Sequence, residues 1–151
     1  MAKIEEGVIG QTQELLKAIG KSKKELVIGI PKETEFQEKR IALTPLSVSL
    51  LIEHGHRVII ESGAGDCSKF LDHHYSEQGA QIVYEKEAVF NADIIIKISG
   101  PTLQEVNLMR NKQILLSSQQ PSLLQKEVLD ALMKKQITAL AYEYLQDEGG
   151  H

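Results

Sequence analysis

The stretch IGIPKETEFQEKRIALTP, residues 28–45, reads in three parts. It opens on the end of a short apolar run, Leu26-Val27-Ile28-Gly29-Ile30, which stops at Pro31. A charged segment follows, with Lys32, Glu33, Glu35, Glu38, Lys39 and Arg40 inside nine residues. It closes on Ile41-Ala42-Leu43 and then Thr44-Pro45, a helix N-cap with proline at the first helical position. A buried strand that empties into a charged loop and then a helix is the unit from which open α/β sheets build ligand sites, at the carboxyl ends of their strands. Of the three cations in that loop, Arg40 is the candidate for an anionic substrate group, since a guanidinium matches a carboxylate through two parallel hydrogen bonds. The competing reading is a solvated loop with ordinary surface ion pairs.

Working outward, the same strand-then-helix alternation continues. Strands are predicted at 26–30, 57–61, 81–84, 93–97, 113–116 and 137–141, and helices near 45–54, 71–78, 85–90, 102–108 and 121–135. Several strands are unbroken runs of Ile, Val and Leu, the pattern of strands covered on both faces. Helix-length connectors between such strands imply right-handed parallel crossovers, so the class is α/β with a mainly parallel sheet flanked by helices. Residues 3–19 place Ile4, Val8, Leu15, Leu16 and Ile19 at helical spacing, which predicts an extra N-terminal helix across residues 1–25. No repeat or low-complexity tract interrupts the chain.

Composition narrows the function. At 151 residues the chain suffices for one ordinary domain, and a net charge of −4 without a basic stripe argues against nucleic-acid binding. Cys67 is the single cysteine, so neither a disulfide framework nor a cysteine zinc site is available, and a reducing, cytoplasmic compartment fits. No stretch approaches the roughly 20 apolar residues of a membrane span. His54 and His56 flank a turn glycine, and His73 and His74 are adjacent; neither pair has metal-ligand spacing. Ser62-Gly63-Ala64-Gly65 follows a strand but lacks the third glycine of a dinucleotide turn, because Ser68 stands there. No cofactor-binding residues are assigned on this chain.

Two further strand ends carry candidate chemistry. Lys97 follows Ile94-Ile95-Ile96, where partial desolvation would let it polarise a carbonyl or bind a carboxylate. A strand-end lysine that merely snorkels to water is the competing reading. Ser117-Ser118-Gln119-Gln120-Pro121 ends the next strand with neutral hydrogen-bonding groups, although Ser and Pro also simply start helices. Tyr142-Glu143-Tyr144 after the last strand either lines the site or packs its rim.

The run Gly29-Ile30-Pro31-Lys32-Glu33-Thr34, followed after five residues by Arg40-Ile41-Ala42-Leu43-Thr44-Pro45, resembles the N-terminus of alanine dehydrogenases and of the NAD(P) transhydrogenase alpha subunit. The resemblance continues through Gly55-His56, Glu61-Ser62-Gly63-Ala64-Gly65, Ala92-Asp93-Ile94, Lys97, Gln113-Ile114-Leu115 and Thr138-Ala139-Leu140-Ala141-Tyr142-Glu143, and covers residues 26–151. It implies a Rossmann-like or flavodoxin-like substrate domain, the substrate half of an NAD-dependent alanine dehydrogenase that interconverts L-alanine with pyruvate and ammonia. Arg40 would bind the substrate carboxylate, and Lys97 the carboxylate or carbonyl. NAD would be held mainly by a further domain, so the chain, whose Gly149-Gly150-His151 ending reads as a cut, would be inactive alone. Family members are commonly hexameric, which implies a homo-oligomer. One departure stands out: where many alanine dehydrogenases carry a histidine, this sequence has Gln120, which can hydrogen-bond a carbonyl but cannot exchange a proton near neutral pH. Transhydrogenase alpha subunits also lack that histidine, so the alternative stays open, as does a stand-alone ligand-binding module.

Overall fold

The structure, a computed structural model, describes residues 25–118 and 125–144. Six strands, β1 (Val27–Ile30), β2 (Arg57–Glu61), β3 (Gln81–Val83), β4 (Ile94–Ile96), β5 (Ile114–Ser117) and β6 (Thr138–Ala141), form one sheet in the order β3-β2-β1-β4-β5-β6. Every neighbouring pair is parallel. The connecting helices are α1 (Pro45–Glu53), α2 (Asp72–Ser76), α3 (Lys86–Phe90), α4 (Leu103–Leu108) and α5 (Lys126–Lys134). The predicted helix over 3–19 lies outside the described residues, as do Gln119 and Gln120.

Strand alternation sorts the apolar residues into two cores. Ile28 and Ile30 of β1 join Val58 and Ile60 of β2, Val48 of α1 and Tyr75 of α2 on one face. On the other face Ile95 and Leu115 pack with Phe90, Val106, Val128 and Leu132 from α3, α4 and α5. Gly29 sits between them: a Cβ there would lie 2.5 Å from the Val89 carbonyl oxygen and 2.9 Å from Ala92 Cβ. The close approach of α3 to β1 therefore requires glycine.

The chain runs outward from β1 to β3, then crosses back to place β4 on the other side of β1. Strand order reverses between β1 and β4, where Ile28 and Gly29 pair with Ile94 and Ile95. The loops leaving the carboxyl ends of these two strands must diverge, and that divergence opens a crevice. The Asp93 carboxylate reinforces the seam by accepting from the Val27 amide at 2.9 Å. On the far side of the β1 loop, Thr44 caps α1 by accepting from Ser47 N at 3.3 Å, with Pro45 following it. The buried Tyr75 hydroxyl donates to the Leu43 carbonyl at 2.9 Å, tying the loop's end to α2, and burial pushes its pKa up to about 12.

Candidate functional site

A cleft of about 650 Å³ lies at the carboxyl edge of the sheet. The β1 loop contributes Glu35, Glu38 and Arg40; the segment after β4 contributes residues 98–103; Ser118, Tyr142 and the start of α5 complete the walls. It therefore occupies the strand-order reversal, and Arg40 is its one cationic side chain among the described residues.

Arg40 is 74% exposed, and its fork is engaged by a residue of its own loop. Its Nε donates to Glu38 Oε1 at 2.9 Å and its Nη2 to Glu38 Oε2 at 2.6 Å, while its backbone amide also donates to Oε1 at 2.9 Å. The side-chain hydrogen bond from Arg40 holds the Glu38 carboxyl down at about 2, far below the ordinary carboxylate range. The same bond raises the Arg40 pKa.

Lys97 is placed differently from the expectation. It directly follows β4 and is desolvated, at 1% exposure, but it is not among the residues lining the cleft. Its Nζ lies 2.9 Å from Glu105 Oε2 and 3.6 Å from Glu33 Oε2, and Lys86 Nζ meets the other Glu105 oxygen at 3.3 Å. Lys97, Glu105 and Glu33 thus form a buried charge group, which the half-buried Lys86 completes from its edge. Lys97 turns inward onto these carboxylates, while the next two residues along the chain, Ile98 and Ser99, line the cleft. Burial pushes the Glu105 carboxyl up, but the Lys97 charge and hydrogen bond, the Thr102 amide and Lys86 outweigh it and hold it below its ordinary value.

Glu33, of the Pro31-Lys32-Glu33-Thr34 run, carries the link between the two halves of the site. Its carboxylate accepts from the Ile98 amide at 2.6 Å, from the Ser99 amide at 3.4 Å and from the Ser99 hydroxyl. The loop after β1 thereby fixes the loop after β4. Tyr142 adds a second tie, its hydroxyl donating to the Ile98 carbonyl at 2.6 Å, and burial raises its pKa. Ser118 lines the cleft and donates its hydroxyl to Glu143. Arg40, Ser118 and Tyr142 line one cleft, whereas the Lys97 ammonium lies outside it on Glu105 and Glu33, and the Lys97 carbonyl accepts from the Tyr142 hydroxyl at 3.3 Å. Glu33 and Glu38 have no spacing signal in the sequence, since their partners are set by loop geometry or lie far along the chain; Glu105 stands in a Thr102-x-x-Glu105 capping pattern, which marks a helix start but not its pairing with Lys97.

The histidines serve turns instead. His56 Nδ1 accepts from the Leu26 amide and His74 Nδ1 from the Leu71 amide. Among the described residues no group of three or more His, Cys, Asp or Glu side chains gathers where a metal ion could bind, and no helix is long and apolar enough to cross a membrane. Among the described residues, the turns after β1 and β2 do not suit a dinucleotide. The sheet order is that of dinucleotide-binding folds, yet the turn after β1 is a long charged loop without glycine. The glycine turn after β2 is satisfied internally, because Asp72 accepts from the Ser62 hydroxyl at 2.6 Å and the Gly63 amide at 2.9 Å.

Comparison with known proteins agrees with this architecture. The profile described as "Alanine dehydrogenase/PNT, N-terminal domain" matches residues 29–151. The chain is 38% identical over 122 residues to the alanine dehydrogenase of Bacillus subtilis (strain 168), covering 81% of this chain and 32% of that protein. Among solved structures, an L-alanine dehydrogenase superposes with a TM-score of 0.78 at 34% identity, covering 83% of this chain and 35% of its own. A transhydrogenase from Sinorhizobium meliloti superposes with a TM-score of 0.71 at 30% identity, covering 78% and 35% respectively. The chain thus spans about a third of the length of the curated relatives it matches. With its motifs, its sheet and its relatives in one register, it belongs to the alanine dehydrogenase/PNT N-terminal domain family.

Proposed function

We propose that this chain is the substrate-binding part of an NAD-dependent alanine dehydrogenase acting on L-alanine and pyruvate. The observation that carries the reading is the Arg40 guanidinium at the rim of a cleft built on the strand-order reversal. Arg40 holds the substrate carboxylate through its fork, while Ser99, Ser118 and Tyr142 offer hydroxyl groups to the other end of a small polar molecule. Lys97 acts as a positioning residue through Glu33, and Gln120 is assigned to the carbonyl end of the substrate. Residues 26–151 form the substrate domain and residues 1–25 an extension ahead of it.

NAD supplies hydride chemistry, and its binding is assigned to protein outside these residues, because the turns present here do not suit a pyrophosphate. The described cleft residues also include no histidine or lysine to exchange a proton near neutral pH. The 151-residue chain alone therefore binds substrate without turning it over. A cytoplasmic homo-oligomer, a hexamer in the complete enzyme, belongs to the same reading. The transhydrogenase-like structure supports a second reading, in which the domain serves a transhydrogenase alpha subunit and takes no amino acid.

Titration of the 15N-labelled chain with pyruvate and L-alanine tests the choice. Saturable shifts confined to residues around Arg40, Ser99 and Tyr142, lost in Arg40→Gln, support the dehydrogenase reading. Absence of any shift, or turnover of NAD by the chain alone, overturns it.

A further inference from the structure

Resting on the reading just given, we propose that Glu38 is a built-in competitor for the Arg40 guanidinium and that, once displaced, it selects an α-amino acid over the matching α-keto acid.

The geometry is that of a ligand complex completed from within. Both Glu38 carboxylate oxygens occupy the Arg40 fork, at 2.9 and 2.6 Å, the parallel arrangement a substrate carboxylate would adopt. Glu38 reaches this position through a tight turn. Its amide donates to the Glu35 carbonyl at 3.2 Å, and Gln37 between them has φ +66°. A non-glycine residue in the left-handed region costs free energy, so the turn is held by what it presents. What it presents is the Glu38 carboxylate on Arg40.

An incoming carboxylate must therefore exchange with an internal one of equal charge and geometry. The Arg40 contact is made on both sides of that exchange, so the loss of the Glu38 pairing offsets part of what the substrate carboxylate gains there. Discrimination comes from what happens to Glu38 afterwards. The ionisable groups lining the described cleft are two carboxylates, Glu35 and Glu38, against one guanidinium, with Tyr142 held neutral by its raised pKa. A keto acid adds a second uncompensated negative charge to this cleft. A zwitterionic amino acid adds none, and its ammonium pairs with the carboxylate that its own carboxylate has released. Displacement removes the Arg40 bond that lowers the Glu38 pKa, but an ordinary carboxylate is still ionised at neutral pH, so Glu38 is available for that pairing.

Affinities of the 151-residue chain for L-alanine and pyruvate, measured by calorimetry at fixed pH and ionic strength, test this. The wild-type chain is expected to prefer L-alanine. In Glu38→Gln, which keeps the shape and removes the charge, pyruvate binding tightens and the L-alanine preference falls by about tenfold, the worth of one charge-assisted hydrogen bond. A preference within twofold of wild type overturns the proposal. Arg40→Gln separates the two claims. If it abolishes binding while Glu38→Gln leaves the preference unchanged, Arg40 holds the carboxylate and only the role of Glu38 falls. If Arg40→Gln binds as wild type does, or if wild type binds neither molecule, the Arg40 reading falls and takes this one with it.

Discussion

Replacing Lys97 with methionine separates a structural lysine from a substrate-binding one. The substitution keeps the length and apolar stem but removes the ammonium from between Glu105 and Glu33, whose side chains are 2% and 6% exposed. Breaking a buried ion pair by deleting one partner costs about 3–5 kcal/mol, since the remaining charge stays desolvated. Lys86 still faces Glu105, and the Ile98 and Ser99 amides still serve Glu33, so the lower end, about 3 kcal/mol, is expected. With a urea slope of roughly 1.5 kcal/mol/M, the unfolding midpoint falls by about 2 M. The pH dependence has a definite sign. In wild type Glu105 is held below its ordinary pKa, so its ionised form contributes stability above the unfolded pKa and loses it as pH falls through the folded one. Without Lys97 burial dominates and raises that pKa, so acidification from neutral pH narrows the gap between variant and wild type. Adding Glu105→Gln to the variant should recover part of the loss. A midpoint shift below about 0.5 M in urea denaturation, with pyruvate affinity lost, would mean that Lys97 faces the substrate and that the buried network is misassigned.

Arg40→Gln should bring the Glu38 carboxyl from about 2 back toward 4.5 in a carbon-13 NMR titration, and by linkage should lower the unfolding midpoint at neutral pH, the difference from wild type shrinking as pH falls toward 2. Thr102→Ala removes one half of the box that starts α4, in which Thr102 Oγ1 accepts from Glu105 N at 3.2 Å and Glu105 Oε2 from Thr102 N at 2.9 Å. It should cost about 1 kcal/mol by chemical denaturation. Gly29→Ala forces a methyl group against the Val89 carbonyl and should destabilise by about 1–3 kcal/mol, read as a lower thermal midpoint.

Much of this fold is legible in the sequence because its strands are buried on both faces and its punctuation is explicit. Ile94-Ile95-Ile96 has only one comfortable home, and Thr44-Pro45 starts a helix where the structure starts one. The strand order was not legible: nothing local tells β4 to pair with β1 instead of β3, since that choice belongs to the crossover. At the site, Arg40 could be read as a carboxylate binder because it is the basic end of a strand-to-helix loop. Its occupation by Glu38 could not, because the two-residue spacing faces the partners only through the Gln37 turn. Lys97 is the opposite case. Its position at a strand end is legible, but a one-dimensional sequence does not say which way the side chain turns, and Glu105 and Glu33 lie eight and 64 positions away along the chain.

The seam between β1 and β4 has a consequence for how the protein assembles. Each neighbouring pair within a half is joined by one short helix, but Ile28 and Ile94 meet only after the chain between them has formed two other strands. Pairing β1 with β4 therefore closes a longer loop than any pairing within a half. The cleft draws Arg40 from one half and Ser99 from the other, so neither half offers the complete recognition surface by itself. Recognition of a carboxylate in this way reports that the two halves of the sheet are joined.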